Sequence, residues 1–483
     1  MKIFPNGINP ITKKLIAAPL EEEEFGMAAY RNYLSNAPGI FNLSQITSFS
    51  SNYNSKFTTI NSSFDTESFS VRSPDLNDPR EVGWTFLVNS QDPRISDIIE
   101  ILKPLARLRN MDNPELPLYY NGEQELDWFD WLQDNYYSLE LKAKKVPQYI
   151  LLVGDPKMIP FKFQSLLDAN AFVGRIDFNS MEEMASYIEK ILEHEKSKVK
   201  VSRNSLVMGT DEGMSDPTHY STKYLVKPIA DLISSKLKFK TKVLLSEDAT
   251  KKKFIKELTK TSPALVFTAT HGGAFINENI LTQKKLNGGI YCHDPGDYSQ
   301  DEILFTSYDI TDPYFLDGSI FFQFACFGYG TPAESDFWHW THGRRRINST
   351  EDFVSDLPKK LLSVKGGCLA YIGHIDEAWV HGFADPNDLA DISGKWHNRI
   401  FPFVKCVESL LSGEPVGGAI SRLNDRYNDT NAILATTLDQ ARKNSNKLSP
   451  EFFREIADLF VTRSDAQNYM VFGDPAVSIN IPS

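Results

Sequence analysis

The sequence is sparing with cysteine. Its four cysteines, Cys292, Cys326, Cys368 and Cys406, stand far apart and form no C-x-x-C pair. That excludes a disulfide framework and fits a reducing compartment. Long hydrophobic runs are missing too. No stretch approaches the roughly 18 consecutive apolar residues of a membrane span. The opening Met1-Lys-Ile-Phe-Pro-Asn-Gly7 has no apolar h-region, so no secretory signal is expected, and the expected location is the cytoplasm. Positive charge is in deficit, with a net charge of −12. That disfavours nucleic acid and anionic membrane as partners, because both attract basic surfaces. Neither G-x-x-x-x-G-K-S/T nor G-x-G-x-x-G occurs, so no nucleotide cofactor is implied, and no other cofactor is expected.

What is there reads as an ordinary globular chain, 41% apolar and 24% charged, long enough at 483 residues for two to four domain-sized units. Residues 1–80 look least structured, and 42–70 are dense in Ser, Asn, Thr and Phe, predicting irregular coil. From Trp84 onward, short apolar runs alternate with helical periodicities: strands at 84–88, 149–153, 172–176, 205–208, 242–245, 264–270, 319–325, 367–372 and 469–472, and a last one ending at Ile481. Alternation of this kind predicts an α/β fold, a parallel-rich sheet flanked by helices. It divides into an N-terminal irregular segment, 1–80, with a lid or regulatory role, and two tandem α/β subdomains. The first, 81–202, is non-catalytic; the second, 203–483, is catalytic.

Two strand ends carry complementary chemistry. Ala264-Leu-Val-Phe-Thr-Ala-Thr270 runs into His271-Gly272-Gly273, and Ile320-Phe-Phe-Gln-Phe-Ala325 runs into Cys326-Phe327-Gly328. Ligands of open α/β sheets bind beyond the carboxyl ends of strands. A cysteine and a histidine there make a nucleophile and its base. Gly272 and Gly273 permit a close backbone approach, and the N–H groups of Gly272 and Cys326 can receive an oxyanion. The reaction class is acyl transfer on a peptide or other amide. Cys368, within its strand, and Cys406, in a helical pattern, read as inert core residues.

These residues carry a resemblance. His271-Gly272 and Ala325-Cys326, each after a hydrophobic strand, resemble the paired signatures of the caspase-like clan of cysteine proteases. Tyr149-Ile-Leu-Leu-Val-Gly-Asp-Pro-Lys-Met-Ile-Pro160, Val173-Gly174-Arg175, His194-Glu195-Lys196, Ala370-Tyr-Ile-Gly373 and Phe472-Gly-Asp-Pro475 resemble its gingipain-type branch, peptidase family C25, over roughly residues 81–483. The resemblance implies a two-part caspase-like fold with His271 as catalytic histidine and Cys326 as nucleophile, a dyad, since no histidine-orienting acid is placed. It also implies a deep S1 pocket. Asp211 matches the S1 acid, which would select Arg or Lys by charge pairing, and Trp379 matches an aromatic pocket wall. Asp211 reads equally as a loop acid or helix cap among Asp211, Glu212 and Asp216. Secreted gingipains carry a signal and a pro-region that this chain does not show, so their nutritional role does not transfer. Intracellular relatives imply a defence or cell-death effector triggered by a ligand or partner protein.

Arg344-Arg345-Arg346, and more weakly Lys142-Ala-Lys-Lys145, read as autoprocessing sites for a protease with an acidic S1 pocket. His339-Trp-Thr-His342 with Cys292-His293 lacks the H-E-x-x-H spacing, so no metal site is expected. Two rivals stand beside the protease: a catalytically inactive caspase-like scaffold that binds a partner protein, and a small-molecule thiol amidohydrolase.

Overall fold

Tyr149–Val153 is apolar and buried at every position. A run with no polar face goes where both faces are covered, and this one lies inside a parallel sheet. The computed structural model describes residues 2–3, 6–34, 74–111, 113–114, 116–141, 146–197, 201–296, 298–313, 315–337, 346–384, 398–443 and 448–481. The run expected at 42–70 and the Lys142–Lys145 site lie outside them.

The main sheet has ten strands. From one edge these are Lys240–Leu245, Asn204–Gly209, Leu265–Ala269, Ile320–Phe324, Ala370–His374, Tyr469–Phe472, Phe172–Ile176, Tyr149–Val153, Trp84–Asn89 and Leu118–Tyr120. Every neighbouring pair is parallel except Ala370–His374 with Tyr469–Phe472. The sheet is therefore two parallel blocks of opposite direction, joined edge to edge. Numbered by chain order, the strands of each block lie 2-1-3-4-5. The first block takes its fifth strand from the far end of the chain. One apolar core, from Trp84 to Phe472, runs beneath both blocks.

Two of the Gly-Asp-Pro and Gly-Arg motifs turn out to be joints. Asp474 is fully buried and accepts from Trp84 Nε1 at 2.9 Å and from Arg109 Nη2 at 2.8 Å. Arg109 also meets Glu195 at 2.7 Å, and the Tyr187 hydroxyl accepts from the Asp474 N–H at 2.7 Å. The chain's last strand is thus riveted to the first block by a buried charge. Arg175, fully buried, donates to Gln164 Oε1 (2.9 Å) and to the carbonyls of Gly154 (2.8 Å) and Ile159 (2.7 Å), fastening two adjacent turns.

The structure differs from expectation at the unforeseen edge strand Leu118–Tyr120 and in three further places. Residues 6–34, inside the segment expected to be irregular, form a hairpin, Gly7–Asn9 with Lys14–Leu15, and a helix, Glu22–Leu34. The helix buries Phe25 and Tyr30 against Phe452, Phe337 and Phe460. Strands this short have no periodicity of their own to read; their pairing partners lie far along the chain. The strand expected at 367–372 begins only at Ala370, because Cys368 and Leu369 are spent bonding to Leu361 and Ser319. Cys368 is buried before the strand and not in it. The stretch ending at Ile481 forms no strand; instead the Asn480 carbonyl accepts from Val201 at 2.8 Å.

No helix among the described residues is long and apolar enough to cross a membrane. Removing one partner of a buried, hydrogen-bonded charge pair costs about 3–5 kcal/mol. Asp474→Ala leaves buried Arg109 with Glu195 as its remaining carboxylate, so the unfolding free energy in urea should fall toward the lower end of that range; an unchanged value would show that the joint carries nothing.

Candidate active site

The order 2-1-3-4-5 reverses between Asn204–Gly209 and Leu265–Ala269, and a crevice opens past the carboxyl ends of strands at such a reversal. Three loops meet there: 210–216, 270–273 and 325–328. Ala269 pairs with Phe324, and the Thr270 N–H donates to the Phe324 carbonyl at 3.2 Å. The register thus holds one step beyond the strands, and His271 and Cys326 leave the sheet side by side. Gly272 packs directly on the Cys326 backbone: a Cβ there would fall 1.9 Å from the Cys326 carbonyl oxygen. Only glycine fits.

His271 is fully buried. Its Nε2 lies 2.9 and 3.0 Å from the two carboxyl oxygens of Asp216. Asp216 caps the helix Pro217–Ser221, accepting from the Thr218 N–H at 2.9 Å and from its hydroxyl at 2.5 Å. Burial works against the Asp216 charge, but the hydrogen bond and charge of His271 outweigh it with Thr218's help, and the carboxyl titrates below its ordinary range. An ionised carboxylate only accepts, so Nε2 carries a hydrogen, and a ring with a single hydrogen would hold its lone pair on Nδ1. Nδ1 has no hydrogen-bond partner among the described residues.

Cys326 is equally buried, and its sulfur accepts from the Ala378 N–H at 3.2 Å. No hydrogen bond joins it to His271 among the described residues. Burial first, and then the Glu377 carboxylate, push the thiol well above its ordinary value. The turn after it is left-handed at Phe327 (φ 58°), whose N–H donates at 2.8 Å to the carbonyl of Asp376, itself left-handed at φ 60°. Aspartate enters that region readily, so the strain sits at the bulky Phe327.

The chain's own beginning covers this centre. Gly7–Asn9 runs parallel to Gly272–Gly273, with Gly7 opposite Gly272 and Ile8 opposite Gly273. The Ala274 N–H donates to the Ile8 carbonyl at 3.0 Å, and the Asn6 N–H donates to the Ala378 carbonyl at 2.9 Å. A Cβ on Gly7 would lie 3.1 Å from the Cys326 sulfur and 2.5 Å from Ile16 Cδ1. Arg346 latches the hairpin, its Nη2 donating to the Ile16 carbonyl at 3.2 Å while Nη1 pairs with buried Glu377 at 2.7 Å. Lys13 adds an ion pair to Asp294 at 2.5 Å.

The other expected residues fall as follows. Asp211 pairs with His219 Nδ1 at 3.1 Å and accepts from the Gly213 N–H at 3.1 Å. Trp379 is buried, stacked on Phe337 at 4.0 Å, and its N–H donates to Asp465 at 2.9 Å. Arg344 and Arg345 lie outside the described residues, as do His339 and His342. Arg346 is engaged by Glu377, and His293 meets Glu212 at 3.3 Å. No group of three or more His, Cys, Asp or Glu side chains able to hold a metal occurs among the described residues. Sequence reasoning passed over Asp216, taken as one loop acid of three, and passed over the covering strand. Asp216-Pro217 does read as a helix start, but nothing local tells that the cap has an oxygen to spare for a histidine 55 positions on.

The sequence profile of peptidase family C25 matches residues 120–480. No curated protein matches the chain. Among solved structures, the chain is similar to the complex of Porphyromonas gingivalis RgpB pro- and mature domains, with 15% identity, a TM-score of 0.44, and 83% of this chain and 81% of that one covered. It is similar to a structure described only as a protease, with 15% identity and a TM-score of 0.45, over 82% of this chain and 78% of that one. A third is the Saccharomyces cerevisiae separase–securin complex, with 11% identity, a TM-score of 0.34, and coverage of 68% and 16%.

Replacing an imidazole-orienting aspartate by asparagine favours the wrong tautomer, so Asp216→Asn should cut kcat on a peptide by roughly 10²–10⁴-fold with little change in KM. A loss smaller than about threefold would mean the imidazole needs no anchor. Gly7→Val must lift its strand, and iodoacetamide labelling of Cys326 at pH 7 should then quicken by on the order of tenfold. An unchanged labelling rate would mean the thiol is reached by another route.

Proposed function

The chain belongs to peptidase family C25 and is a cysteine peptidase, and on that premise we propose an endopeptidase in which Cys326 attacks the scissile carbonyl and His271 moves the proton. The observation that carries this reading is the pairing of Ala269 with Phe324, which brings both residues out at one end of the sheet. His271 takes the thiol proton on Nδ1, the nitrogen that Asp216 leaves free. Asp216 fixes the ring and offsets the positive charge that forms on it. The N–H groups of Gly272 and Cys326 receive the oxyanion. Nδ1 then returns the proton to the leaving amine, and water hydrolyses the thioester. Asp216 makes this a triad where the sequence supported a dyad. All of these groups lie in 203–483; 81–202 completes the sheet and supplies none.

In this reading the substrate is a protein or peptide, and P1 is Arg or Lys. Asp211 supports that preference by its charge and by its place just past the first strand of the second block; Trp379 supplies the aromatic wall. Glu377 is the rival acid, since it already holds a guanidinium beside the nucleophile's partner Ala378. Residues 6–16 act as the lid, because a thiol under its own chain cannot meet a substrate. A peptidase kept shut in this way, with four unpaired cysteines, suits the cytoplasm and release by a ligand or partner protein, as in defence or cell death.

Fluorogenic peptides with Arg, Lys, Asp, Asn or Leu at P1 test the specificity. Arg and Lys should be cut fastest, by on the order of tenfold or more over Leu. Asp211→Asn should abolish that preference, and Glu377→Gln should preserve it. The reverse outcome would move the pocket acid to Glu377, and a wild type that prefers Asp or Leu would remove the acidic pocket altogether.

A further inference from the structure

The covering strand does more than block the cleft. The Asn6 N–H faces both the Ala378 carbonyl, at 2.9 Å, and the Cys326 sulfur. One residue on, a Cβ at Gly7 would stand 3.1 Å from the same sulfur. The sulfur is therefore bracketed by the Asn6 N–H before the Asn6–Gly7 peptide bond and by Gly7 after it. Beyond that bond, Gly7 and Ile8 are held in register by Gly272 and Gly273, the turn that follows the histidine. Before it, the Asn6 side chain is 1% exposed, and neither Oδ1 nor Nδ2 has a hydrogen-bond partner among the described residues. A carboxamide buried without partners costs stability. An apolar residue would fill that place without this cost, so simple packing does not call for the carboxamide.

We propose that the Asn6–Gly7 bond is a substrate of this chain's own Cys326, cut in cis. The inference rests on the reading of Cys326 as nucleophile and adds the site of its first turnover. The thiol proton passes to His271 Nδ1 as the sulfur adds to the Asn6 carbonyl carbon. The bond to the Gly7 nitrogen breaks as Nδ1 returns the proton to that nitrogen. A thioester of Asn6 on Cys326 and a free amine on Gly7 result. Water then hydrolyses the thioester, Asn6 leaves as a carboxylate, and Cys326 regains its thiol. Water is the one co-reactant. Tethering holds the bond at a high effective concentration, so asparagine is cut here without being the preferred P1 residue of a free substrate. The cut removes the Asn6 anchor on Ala378 and the pairing of Lys2–Ile3 with Leu20–Glu21, and so clears the acyl side of the cleft.

The test compares full-length wild type, Cys326→Ala and Cys326→Ser after incubation at pH 7, by intact mass and N-terminal sequencing, with the peptide panel run in parallel. The expected result is a wild-type chain that begins at Gly7, with both variants uncut at that bond. A wild type intact at Asn6–Gly7 overturns the inference, as does equal scission in the Cys326 variants, which would be spontaneous Asn–Gly chemistry. A cut after Arg346 in place of Asn6 overturns it too. An intact wild type that hydrolyses the peptides sinks this inference alone; an intact wild type that hydrolyses none of them sinks the protease reading with it.

Discussion

One parallel register governs this molecule. Five residues of Leu265–Ala269 lie opposite five of Ile320–Phe324, and the hydrogen bond from Thr270 to Phe324 continues the match past the strands. A slip of one residue would turn each side chain to the other face of the sheet. His271 and Cys326 would then leave on opposite sides. The register is safe from slipping because both strands are buried on both faces, with Phe267 and Phe322 in edge contact at 5.1 Å across it. The chemistry thus depends on hydrophobic packing that touches neither reactive atom.

The same geometry explains why the cleft can be shut so economically. The turn after His271 pairs with Ile290 on one side, and its other side is the kind of edge to which an extended strand adds. In this chain the added strand is its own Gly7–Asn9. Glycine at position 7 lets that strand lie on the sulfur, and glycine at position 272 lets the turn lie on the Cys326 backbone. On the proposed reading a substrate would use the same main-chain groups, and the covering strand would compete with it for one edge. The raised thiol pKa goes with this burial, and no hydrogen bond joins the sulfur to the imidazole among the described residues.

The architecture around the site is doubled. Each half repeats the order 2-1-3-4-5, yet the first block is incomplete until Tyr469–Phe472 returns from the end of the chain. The buried Asp474–Arg109 pair ties down that return. Motifs that resemble a peptidase family without any obvious chemistry, Gly154-Asp-Pro, Gly174-Arg175 and Gly473-Asp-Pro, are here the fastenings of the scaffold, and the reactive residues occupy two positions among them.

The strands and the α/β class were legible because each is local, and an apolar run ending in a histidine or a cysteine shows itself within ten letters; that the two runs lie side by side is a matter of register. Asp216 was hidden because its role needs a contact across the fold, and a helix cap looks the same with or without a histidine on its second oxygen. The hairpin at 6–16 was hidden for a related reason, since strands of two or three residues carry no periodicity and Gly7–Asn9 has its second partner over 250 positions away. The sequence by itself determined which segments would be buried and which side chains could react. Only the tertiary structure decided which backbone lies over the thiol, because long-range pairing is set by the competition among all exposed edges, and no local pattern records that outcome.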